Sequence, residues 1–209
     1  MCAAMRRREA SATSGPRLST RFCAGWHDPQ DLCDSSDRIA RAYAEGVPMG
    51  GELLGPGDGH SPSFLIAASK DPGTQDAPGM PLQRVQLIKG WVDEAGETHH
   101  QVIDVAGDAG NGASVDLKTC QPQGEGAAQL CSVWRDPAFD PQQPAFYYTR
   151  VVENPSCRWS QRQCVAAGVD CDDPTTIGKG YAGCCSADHQ PVIQERAWSS
   201  AIWYKPSAD

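Results

Sequence analysis

Ten cysteines in 209 residues limit this chain more than any other feature. Seven of them lie between Cys120 and Cys185. Structural zinc sites pair thiolates two to four residues apart. Here Cys157, Cys164 and Cys171 are each separated by six residues, and Cys184 and Cys185 are adjacent. That pattern favours disulfides over zinc, and disulfides imply an oxidising compartment. The connectivity is open on spacing alone. One pairing, Cys120 with Cys131, is expected because it would close a loop leading into a strand.

The amino terminus does not supply the matching export signal. Arg6, Arg7 and Arg8 form a basic run, but no apolar stretch follows it. Nor is there a run of about 18 apolar residues to span a membrane. The simplest reconciliation is that the true start lies upstream, with the full-length form periplasmic or extracellular. The formal charge of −8 argues against nucleic acid as a partner.

Twenty-one glycines and sixteen prolines punctuate the chain into short elements. Residues 2–10 read as a helix end, broken at Ser14-Gly15-Pro16. Strands are expected at 17–23, 64–69, 84–92, 101–105, 130–134, 145–152 and 197–204. The third and fourth form a hairpin about 93–97. In the last, Trp198, Ser200, Ile202 and Tyr204 are placed on one face by simple alternation. Helical turns are expected at 35–46, capped by Ser35 or Ser36 and stopped by Gly46, and at 160–167, ended by Gly168. The stretch 170–189 reads as irregular and cysteine-stapled. The fold class is therefore mainly β: an antiparallel β-sandwich-like domain with one or two short helices and disulfide-stapled loops.

Catalytic signatures are sparse. The five histidines include no H-x-H or H-E-x-x-H pair, and His99 and His100 point to opposite faces of any strand. Asp58-Gly59-His60 is a lone D-x-H in a glycine-rich loop with no evident partner. There is no G-x-S-x-G elbow and no P-loop. No catalytic residue and no metal ligand is assigned, and no cofactor is expected in this chain. Two polar-aromatic clusters remain as candidate substrate contacts. Arg158, Trp159 and Arg162 form one; Glu195, Arg196 and Trp198 form the other. Arginine suits planar anions and tryptophan an apolar wall. The plainer alternative is an Arg–Glu pair beside core tryptophans.

These stretches also carry a family likeness. The words at residues 5–9, 12–17, 22–26, 43–51, 88–93, 134–141, 146–148, 150–151, 153–155, 157–160, 194–200 and 202–204 occur in one order. In them the chain resembles the carboxy-terminal part of the family known as domain of unknown function 3604. Full-length members look like PHP-type proteins, whose His and Asp motifs on a distorted (β/α) barrel bind divalent metals and activate water for phosphoester hydrolysis. The resemblance places those motifs upstream of the helix ending in the arginine run, so Asp58 and His60 do not align with them. It implies residues 1–16 as the end of a helix of a missing amino-terminal barrel, which would be the chief partner, and 17–209 as a β-rich carboxy-terminal domain. Such a chain would be inactive alone, expose an apolar patch and self-associate. The alternative is a stand-alone secreted β-sandwich that binds a ligand.

Overall fold

The computed structural model describes residues 10–26, 32–55 and 60–207. The helix end expected at residues 2–10 and Asp58 of the D-x-H lie outside this set, apart from Ala10. Two sheets pack face to face. The larger has seven strands: β1 (Ser11–Thr13), β4 (Glu52–Leu54), β6 (Leu82–Val92), β7 (Thr98–Gly107), β11 (Ala145–Glu153), β14 (Arg196–Ser199) and β15 (Ile202–Lys205). In it β11 is central, with β6 and then β7 on one side. On the other side β14 and β15 lie end to end, flanked by β1 and β4. The smaller sheet runs β10 (Gln129–Arg135), β5 (Ser63–Ser69), β2 (Ser19–Gly25), β3 (Gly46–Pro48). Ser114–Val115 (β8) and Pro122–Gln123 (β9) form a separate two-stranded ribbon, and among the described residues only the β15–β4 pairing is parallel.

Alternation along each strand builds the core. Phe22, Phe64 and Ile66 from the small sheet meet Val85, Leu87, Tyr147, Val151 and Ile202 from the large one. The Phe64 and Tyr147 rings lie 4.4 Å apart across the interface. Each such side chain, fully buried, contributes about 1.5–3 kcal/mol. The mainly-β expectation is confirmed, and the two sheets form a sandwich.

The outer face of the small sheet has a separate cover. Cys23 and Leu65 point away from the main core and pack against Leu32 and Ala42. Ala42 belongs to the helix Arg38–Glu45, close to the expected position. Gly46 ends that helix for a reason alternation cannot reveal: a Cβ there would lie 2.3 Å from the Ala24 carbonyl oxygen.

The expected hairpin is longer than its sequence limits suggest. Arg84–Val92 pairs with Thr98–Gly107, with one bulge between Val85 and Gln86, and the Asp93 carboxylate accepts from the Ala95 and Glu97 amides to close the turn. The closing strand is a correction. A one-residue irregularity at Ser200–Ala201 divides it, since Trp198 pairs with Arg150 whereas Ile202 pairs with Tyr147. Ile202 and Tyr204 therefore point inward, and Trp198 points outward. Ser11–Thr13 pairs with β14, so the sandwich takes in residues before the expected boundary at 17.

Among the described residues, four disulfides join Cys33 to Cys131, Cys120 to Cys157, Cys164 to Cys184 and Cys171 to Cys185. The expected Cys120–Cys131 pairing is not formed. Cys131 lies on the outer face of β10, packed with Leu32 and bonded to Cys33, and Cys120 is held against Ser156–Cys157 (β12). The last two disulfides staple a flap, residues 158–191, that leaves the sandwich between β12 and Val192–Ile193 (β13). It holds the second helix, Trp159–Ala166, and two 3-10 turns.

Candidate functional site

The outward face of the large sheet is where exposed chemistry collects. Phe146 and Tyr148 alternate outward from β11, and their rings stack 6.3 Å apart. Trp203, opposite Phe146 in register, lies 5.4 Å from it and is 44% exposed. Phe146 lies across Gly90 of β6, where an added Cβ would fall 2.3 Å from the ring edge. The glycine thus leaves a dip in the sheet that any larger residue would fill.

Beside that ring lies a hollow of about 570 Å³. Gly90, Val92, Phe146 and Trp203 give it an apolar lining, and Thr98, His100 and Lys205 bring polar side chains from the same face. The His99 ring stacks on Trp91 at 5.3 Å and its Nε2 is 2.7 Å from Asp93. Lys205 Nζ lies 2.9 Å from Glu52. The contact with His99, together with backbone amides, holds the Asp93 carboxyl below its usual range.

The sequence-derived candidates fall in two other places. Arg158 precedes the flap helix, its amide donating to the Pro191 carbonyl at 2.8 Å while its buried Nε has no partner. Trp159 is 69% exposed, and Arg162 is exposed on the same helix. Glu195, Arg196 and Trp198 lie at the β1–β14 edge. Glu195 accepts from the Ser14 hydroxyl, and the Arg196 amide donates to Ser14 Oγ at 2.8 Å. Trp198 shares the outward face with Phe146, opposite Arg150. No hydrogen bond or ion pair joins the two clusters among the described residues. Phe146, Trp203 and Gly90 escaped sequence reasoning because their common face depends on the irregularity at Ser200–Ala201.

A second polar cluster is sealed inside the sandwich. Lys89 Nζ lies 2.6 Å from Asp136 and donates to the Ala138 carbonyl at 3.0 Å. The Tyr147 hydroxyl donates to the same carboxylate oxygen at 2.7 Å. Burial and that negative charge push the Tyr147 phenol far above its ordinary value. The network is satisfied internally and tethers the loop after β10 to the sheet, so its chemistry is structural.

A divalent-metal centre does not fit the described residues. No three His, Cys, Asp or Glu side chains converge among them. His99 is engaged by Asp93, and His189 contacts Gln161 at 2.8 Å on the flap. Among the described residues no helix is long and apolar enough to cross a membrane.

Comparison with known proteins gives one result. No curated protein matches, and no solved structure matches. The family model described as "Protein of unknown function (DUF3604)" matches residues 1–206. Nearly the whole described sandwich, flap included, lies within that match, and the chain belongs to the DUF3604 family.

Proposed function

We propose that this chain is the non-catalytic, carboxy-terminal β-sandwich region of a PHP-like metal-dependent hydrolase of phosphoester type, acting in an oxidising, extracytoplasmic compartment. The carrying observation is the distribution of its titratable groups. Asp93, Asp116 and Asp173 close turns, Glu52 and Asp136 pair with lysines, and no three of the metal-ligating kinds converge among the described residues. The resemblance to PHP-type proteins supplies the hydrolase, and the four disulfides support the compartment. In that reading Arg158, Trp159, Arg162, Glu195, Arg196 and Trp198 supply walls and anion contacts to a pocket completed by the barrel. The test is direct. The purified chain, incubated with Mn²⁺, Zn²⁺ or Mg²⁺ and p-nitrophenyl phosphate, is expected to hydrolyse nothing and to retain no stoichiometric metal after desalting. Turnover or tightly held metal would overturn the proposal.

A second reading, a secreted β-sandwich ligand-binding module, is favoured by the hollow beside Phe146 and Trp203. It predicts a ligand that changes tryptophan fluorescence.

A further inference from the structure

We infer that the hollow beside Gly90 binds the ring of a neutral saccharide, with Phe146 and Trp203 as stacking platforms and Thr98 and His100 on its hydrogen-bonding rim. The inference rests on the ligand-binding reading and names the ligand class for it.

Three observations carry it. The first is shape. Gly90 lowers the floor, so the Phe146 ring settles across the sheet, and Trp203 lies 5.4 Å away with 44% of its surface exposed. An aromatic face carries negative quadrupole charge, which attracts the weakly positive C–H groups on one face of a pyranose. The second is the mixed lining. An apolar floor with a few polar groups at the margin matches a ring that is apolar on its face and hydroxylated at its edge. A wholly apolar ligand would leave Thr98 and His100 desolvated without partners.

The third is charge. Lys205, on the same face as Trp203, is paired with Glu52 at 2.9 Å, while the His99 side chain turns to the opposite face beside Trp91. The rim's lysine is therefore already engaged within the protein. An anionic sugar would have to compete with the Glu52 carboxylate and approach a chain of net charge −8. A neutral ring meets neither obstacle.

The experiment is native affinity electrophoresis of the whole chain through gels containing single soluble polysaccharides. Neutral probes are mixed-linkage β-glucan, xylan, galactomannan and glycogen; anionic probes are alginate and polygalacturonate. Retardation by at least one neutral polymer is expected, unchanged between low and high salt. Trp203→Ala should reduce it at least tenfold, and this exposed position should leave the fold intact, as checked by circular dichroism. His100→Ala should weaken it by a smaller factor. Retardation by anionic polymers alone, fading with salt, would overturn the neutral-saccharide assignment and leave the ligand-binding reading standing. Retardation by no polymer would overturn the assignment, and a tryptophan fluorescence unmoved by every probe would sink the wider reading with it. Undiminished binding by Trp203→Ala would also overturn it. So would a dimer on sizing chromatography that Trp203→Ala converts to monomer, which would show a second copy seated on the face.

Discussion

Lys89 places an ammonium in the sandwich interior, with its side chain 5% exposed beside an Asp136 side chain at 1%. Removing one member of such a pair leaves the other buried without its counter-charge, which costs about 3–5 kcal/mol. Lys89→Met is expected to lose that much in urea unfolding, and adding Asp136→Asn should return part of it. Glu153 presents the opposite problem. It is 2% exposed, one carboxylate oxygen has no hydrogen-bond partner, and the charges of Glu195 and Asp71 oppose its ionisation against a weaker pull from Lys70. Burial, the largest cause, pushes its pKa up to about 7 from an ordinary 4.5. The folded state therefore holds a proton that the unfolded state has released between these values. That contribution is fully present below pH 4.5 and is lost as pH rises through 7. Wild-type melting temperature should fall from pH 5 to pH 8 relative to Glu153→Gln, as thermal unfolding at each pH would show. Parallel pH profiles would refute this account.

At the scale of elements, the flap and the sandwich are held by different forces. Only Cys164 is buried within the flap helix, and most residues from 166 to 190 are exposed. A segment with so little apolar burial depends on covalent closure to offset its chain entropy. The Cys171–Cys185 link spans 14 residues. A loop of that size is worth about 3 kcal/mol in the chain-entropy account. Replacing both cysteines with serine should open the flap to trypsin at exposed Lys179 while the main unfolding transition stays where it was. Limited proteolysis with mass spectrometry, run beside thermal unfolding, would reveal a coupled loss if the two parts are one cooperative unit.

For the whole molecule, Cys33–Cys131 is the long-range link, joining residues 98 apart. It ties the segment that leads into the Arg38–Glu45 helix onto edge strand β10, above the outer face of the small sheet. Loops near 100 residues are worth about 4.7 kcal/mol in the same account. Serine at both positions should therefore lower global stability by about 4–5 kcal/mol, read from denaturant midpoints, in contrast to the local effect in the flap. Cys23 lies beneath the same cover as a free thiol, pushed up to about 12 by burial. It should resist alkylation in the native protein and react once the chain unfolds.

Much of this architecture was legible in the sequence. The β6–β7 hairpin, the short helix before Gly46, the helical turns ending at Gly168 and the oxidised state of the flap cysteines all follow from patterns within about fifteen residues. Backbone period, turn chemistry and cysteine spacing act at that range. The Arg158 and Glu195 clusters were legible as residue types, but their placement in separate regions was not. Tertiary structure decided which cysteines met, because proximity across 98 residues is a property of sheet packing. It also decided that Lys89 lies inside, since only the facing loop supplies Asp136. The single extra residue at Ser200–Ala201 placed Trp203 beside Phe146. With a side-chain period of two, one residue out of register reverses every face beyond it, and only the partner strand reveals where that shift falls.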